Sequence, residues 1–161
     1  PKETVMKYLS LALCMLALLL PARPADAQEI PLSISSGDST IEMVLSDLDQ
    51  MPQETFATAT NWTEGDVTFS GVPLSHVLKE AGVAGATLRM VALNDYAVEM
   101  PMDEIGDIYP IVATRMHSEP MKVRDKGPYW IVYPYDSDPE FQTETTYARS
   151  IWQLKSLSVI D

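Results

Sequence analysis

An apolar run over residues 8–20 divides this chain into a part that directs export and a part that has to fold. The run follows Lys2 and Lys7, is broken by Pro21 and Pro24, and leads into Ala25-Asp26-Ala27. A basic start, a short apolar middle and a small-x-small exit mark a secretory signal peptide. A membrane span needs about 20 apolar residues, more than this run offers. Residues 1–27 are therefore read as a signal peptide, with cleavage after Ala27 and a mature chain of residues 28–161 that is not embedded in a membrane. The one cysteine, Cys14, falls inside the apolar run. The folding part thus has no thiol, forms no disulfide and depends on its core alone, which a single domain of this length can supply.

Charge narrows the partners. Residues 28–161 hold 8 basic and 21 acidic side chains, a net charge of −13. Such a surface repels phosphate backbones, which makes nucleic acid an improbable partner, and it disfavours anionic membrane surfaces for the same reason. Much of this charge simply keeps an exported protein soluble.

The periodicity describes short elements. Residues 28–40 read as an irregular or edge-strand start, and residues 40–49 as a short helix. Residues 55–60 and 67–70 read as strands around a turn at residues 61–66, the second closed by Gly71. Pro73 opens the clearest helix, residues 73–81, whose stripe is Leu74, Val77, Leu78 and Ala81 and whose stop is Gly82. Residues 87–93 and 96–100 form a hairpin around Asn94-Asp95, followed by a helical turn at residues 102–106. Residues 108–113 and 128–133 are buried apolar runs. Residues 151–160 are a last strand whose apolar face switches near Lys155-Ser156, the mark of a bulge. Many short strands with two or three short helices make the class α+β, with a mixed or antiparallel sheet arrangement.

Familiar catalytic patterns are missing. His76 and His117 are far apart, no His, Cys or acidic cluster has metal-ligand spacing, and neither a phosphate-binding Gly-rich loop nor a G-x-S-x-G elbow occurs.

Five segments in order give more. DLDQMPQETFATAT, FSGVPLSHVLKEAGV, ALNDYAVEMPMDEI, GPYWIVYPYD and IWQLKSLSVID together resemble the molybdopterin-binding domain of the sulfite oxidase family. The resemblance implies one α+β domain of that fold over residues 28–161. It also exposes departures. The family's enzymes ligate molybdenum with a cysteine just after the first core strand, where this chain has Thr58-Ala59-Thr60-Asn61-Trp62. A hydroxyl or amide is a poor substitute for a soft thiolate. Trp130 stands where an arginine is usual, and Ile151 where a lysine is. In size, export signal, missing cysteine and the NDY and RDKGPYWIVYP segments, the chain is similar to a small periplasmic subgroup. Its members bind a reduced pterin without molybdenum and partner inner-membrane enzymes of cyclic di-GMP. That resemblance implies a periplasmic, non-catalytic pterin-binding protein. Two alternatives stand beside it: a molybdopterin-dependent oxidoreductase with an atypical metal site, and a ligand-free interaction domain.

Pterin chemistry then picks out candidates. The flat ring has a donor–donor edge that a carboxylate can accept in a paired contact, and Asp95 is the candidate, though equally a plain turn residue. The Asn94 amide can serve the remaining edge. Trp62, Tyr96, Tyr129 and Trp130 are candidates for stacking, with core packing the stronger account of Tyr129 and Trp130. Asn61 occupies the region of the lost cysteine. Arg115 is the candidate cation, with Arg124, Lys126 and Arg149 as further cations, and the default for each of the four is a surface ion pair.

Overall fold

A computed structural model describes residues 29–161, so the segment read as an export signal and Cys14 lie outside the described residues. Two sheets carry the fold. The first has the order β2-β1-β10-β5-β6, built from β1 (Leu32–Ser36), β2 (Ser39–Met43), β5 (Thr87–Ala92), β6 (Ala97–Pro101) and β10 (Leu154–Ile160). In it β1 runs parallel to β10, and the other pairs are antiparallel. The second has the order β3-β4-β7-β8, with β9 also on β7, from β3 (Glu54–Ala59), β4 (Asp66–Pro73), β7 (Ile111–Met116), β8 (Glu119–Pro120) and β9 (Trp130–Val132). Three short helices, α1 (Leu45–Leu48), α2 (Leu74–Glu80) and α3 (Glu144–Arg149), complete the α+β class expected.

The pleat explains which strands are central. In β1, Leu32 and Ile34 are fully buried, while Ser35 between them and Ser36 donates its hydroxyl to Ser158 Oγ at 2.9 Å. The segment expected as an irregular start or edge is thus an inner strand, because two alternating apolar residues suffice to seat it between β2 and β10. In β5, Leu88, Met90 and Ala92 are buried around exposed Arg89. In β10 the register slips between Leu154 and Ser156. Lys155 is the extra residue, and the expected bulge is present there.

The α2 helix buries Leu74, Val77 and Leu78. Its first amide, on Leu74, donates to Pro110 O at 2.9 Å, and Gly82 ends it with φ +67, a left-handed conformation that glycine adopts without a Cβ penalty.

Four expectations need correction. Residues 39–43 are the edge strand β2 rather than helix, and only Leu45–Leu48 turn, held by the Asp47 carboxylate accepting the Val44 N–H at 2.9 Å. The β4 strand runs through Gly71 instead of stopping there, because Gly71 lies at a register shift against β7. Ile108 is 47% exposed, so the buried run begins only at Pro110. Helix α3 is an addition: its N-cap Thr143 accepts the Thr146 N–H at 3.2 Å.

Burial also fixes a pH response. Desolvation pushes the Tyr129 and Tyr133 hydroxyls up to about 12, and raises Tyr135 further despite its bond to Ser150. An unfolded tyrosine ionises near 10. Between about pH 10 and 12 the folded state therefore holds more protons than the unfolded chain, and stability falls as pH rises. In an ultraviolet titration at 295 nm, these three phenols are expected to lag the exposed ones and appear with loss of the circular dichroism signal. Simultaneous, unfolding-independent titration near pH 10 would contradict the burial assigned to them.

Candidate functional site

The β5–β6 hairpin, the loop after β3 and the junction of α3 with β10 meet around one aromatic pocket of about 330 Å³. The loop is closed by its own hydroxyls: Thr60 and Thr63 share a hydrogen bond of 2.7 Å, and the Trp62 N–H donates to Thr60 Oγ1 at 3.1 Å. This turn lays the Trp62 indole edge-on against Trp130, Tyr135, Tyr147 and Trp152, with centroids 5.6–6.1 Å apart. Such edge contacts add to the burial of each ring. Lys126 caps the cluster, its ammonium 4.9 Å from the Trp152 ring and 5.9 Å from Trp130, close enough for cation–π attraction.

The hairpin supplies the polar edge. The Tyr96 N–H donates to Asn94 Oδ1 at 3.1 Å, and Asn94 is one of the residues that line the pocket. Asp95 takes a left-handed conformation, φ 65, and its carboxylate meets the Lys155 ammonium of the β10 bulge at 3.3 Å. The bulge and the turn thus face each other across the sheet end.

Three of the sequence-derived residues, Trp62, Asn94 and Tyr96, line this pocket. The others do not. Asn61 is exposed beside Trp62, and Asp95 points to Lys155. Tyr129 is buried, its hydroxyl donating to Ile30 O at 2.8 Å. Trp130 is fully buried behind Trp62, with its Nε1–H on Ser150 O at 3.1 Å. Arg115 sits on β7, where its guanidinium grips Asp49 through two bonds of 2.5 and 2.9 Å. That hydrogen-bonded pair holds the Asp49 carboxyl below, and the Arg115 guanidinium above, their ordinary ranges. Tyr147, Ser150 and Trp152 also line the pocket and were not expected from sequence. The capping threonine at 143 and the aromatic spacing of Tyr147 and Trp152 were the available signals.

The residues present fit one part of a molybdopterin and not the other. At the end of β3, the Thr58 hydroxyl and the Ala59 N–H both donate to Asp136 Oδ2, at 3.1 and 2.6 Å. Thr58 is 1% exposed, so the hydroxyl in the region expected to hold a thiolate is already committed. Among the described residues, no group of three or more His, Cys, Asp or Glu is placed to hold a metal. The donor set therefore does not fit molybdenum ligation by the protein. The aromatic walls and the single amide do fit a flat, hydrogen-bonding heterocycle.

Comparison with known proteins agrees on the scaffold. No curated protein matches the chain. Among solved structures, the chain is similar to the sulfane dehydrogenase SoxCD from Paracoccus pantotrophus. The TM-score is 0.63 at 21% identity, over 87% of this chain and 40% of that one. The likeness is one of fold, and this chain spans less than half of that protein's length. Over residues 20–135 the sequence matches a family described as "Oxidoreductase molybdopterin binding domain". Most of the chain is covered by that match, and the α+β architecture agrees with it: the chain belongs to the oxidoreductase molybdopterin binding domain family.

Proposed function

We propose that this protein uses the family's scaffold to bind a reduced pterin without protein-ligated molybdenum, and that it works as a sensing rather than a catalytic module. The observation that carries this is the pairing of an aromatic pocket with a committed Thr58. Flat rings and one free amide are available to a heterocycle, while Thr58, a hydroxyl in the region that would need a metal donor, is held by Asp136. Phosphate recognition is weakly provided for: Arg115 is taken up by Asp49 and Arg149 by Glu104, which favours a pterin lacking the phosphate of molybdopterin.

The site of action follows from the export signal, which supports the periplasm, and from the similarity of the NDY and RDKGPYWIVYP segments to the pterin-binding subgroup. On that basis the partner is the periplasmic domain of an inner-membrane cyclic di-GMP enzyme. Affinity capture from native membranes with and without added pterin tests it; recovery of no such enzyme in either state would sink the assignment.

Mass spectrometry and metal analysis of protein purified from its native compartment test the ligand. One pterin and no molybdenum per chain are expected. Asn94→Ala should weaken pterin binding about fivefold, the worth of one hydrogen bond of about 1 kcal/mol. The family match favours a second reading, a molybdopterin-dependent oxidoreductase. Molybdenum at one atom per chain would establish that reading and overturn the first.

A further inference from the structure

Helix α3 separates the aromatic pocket from a second cavity of about 600 Å³, and the two share no lining residue. The second cavity has aromatic walls: Tyr109 and Phe141 lie 6.0 Å apart and Tyr133 and Phe141 5.7 Å apart between centroids. Its charge is lopsided. Glu104, Asp107 and Glu140 line it against Arg149 alone, and Arg149 is already engaged, its Nη1 at 2.5 Å from Glu104. Asp107 and Glu140 have no ion pair among the described residues.

An independent feature points the same way. The Tyr133 ring is mostly buried and lines this cavity, and its hydroxyl has no hydrogen-bond partner among the described residues. The other two deeply buried tyrosines are satisfied: Tyr129 donates to Ile30 O and Tyr135 to Ser150 Oγ. Among the described residues no side-chain oxygen shut off from solvent lacks a partner, so the unpaired hydroxyl of Tyr133 is the accessible end of an otherwise buried ring and is open to a ligand in the cavity. Ring faces attract cations through their quadrupole, and carboxylates without counterions do so directly.

We propose that this cavity is a second ligand site, for an organic cation: an ammonium or guanidinium group on an apolar or aromatic body. The rings of Tyr109 and Phe141 hold the body, Asp107 and Glu140 face the charge, and the Tyr133 oxygen accepts one hydrogen bond. The site stands independently of the pterin assignment, because none of these residues lines the aromatic pocket.

Ligand-detected NMR with benzamidinium, and with benzyl alcohol and benzoate as its neutral and anionic counterparts, tests the proposal on the full mature chain. Benzamidinium is expected to bind at least about tenfold more tightly than either counterpart. The isosteric double variant Asp107→Asn/Glu140→Gln, on exposed positions that should not disturb folding, is expected to abolish that preference. Asn94→Ala, which affects only the aromatic pocket, should leave it intact. Equal binding of all three probes, or a preference that survives the double variant, would overturn the site.

Discussion

Gly71→Ala is expected to destabilise the fold by about 3 kcal/mol or more, beyond the usual range for adding one methyl group to a packed interior. The reason is backbone geometry. A Cβ at Gly71 would lie 2.0 Å from Val112 O and 2.7 Å from Ala113 Cα. Main-chain atoms cannot rotate away as a side chain would. Strand β4 shifts register against β7 here: Ser70 faces Arg115 and Gly71 faces Ala113, so Thr114 is the extra residue. The bend draws β7 onto Gly71, and only a residue without a side chain fits between them. Relief would require the two central strands of the second sheet to part. Phe69, two residues upstream, packs 5.2 Å from Trp130, so the strain reaches the tryptophan buried behind Trp62. Gly37→Ala is the control: nothing lies within 4 Å of that position, and its φ of +55 makes only the left-handed penalty apply, about 1 kcal/mol. Urea unfolding of the two variants measures the difference. Equal midpoints would show that β4 and β7 are not as closely apposed as described.

What could be read from the sequence follows from how local each signal is. The α2 helix, the β5–β6 hairpin and the β10 bulge rest on patterns contained within a few residues: a stripe closed by Gly82, a turn pair between alternating runs, a switch of apolar face at Lys155. All three are present. Strand β1 was harder because one of its two companions, β10, comes last in the chain, and two buried residues among serines leave little periodic trace. Gly71 reads locally as a stop, and only the approach of β7 reveals it as a point of close packing. Helix α3 contains threonines of low helix propensity, so its existence depends on its cap and on packing. The site divides in the same way. The hairpin residues Asn94 and Tyr96 were reachable through the family resemblance, as was Trp62. Tyr147 and Ser150 belong to a segment that none of the matched motifs covers and that lies beyond the family match at residues 20–135. Arg115 and Asp95 look like ligand residues in sequence because nothing local shows that Asp49 and Lys155 have already claimed them.

Trp62→Ala is expected to cost both stability and ligand binding, and the two losses should separate in Trp62→Phe. The indole is the hub of the pocket, in edge contact with Trp130, Tyr135, Tyr147 and Trp152. Truncating a tryptophan in such surroundings costs about 3 kcal/mol, which lowers the melting temperature by on the order of 10 °C for a domain of this size. Unlike Trp130, which is fully buried, Trp62 keeps one part of its ring open to the pocket it lines. That open part is the surface a flat ligand would meet. Phenylalanine preserves an aromatic edge for the four neighbours and should recover most of the stability. It offers a smaller face to the ligand, so pterin affinity should recover less completely than the melting temperature. A variant that regains stability and affinity in parallel would place the tryptophan's role in packing alone. One that melts like the parent and fails to hold pterin would show that the ring itself forms part of the binding surface.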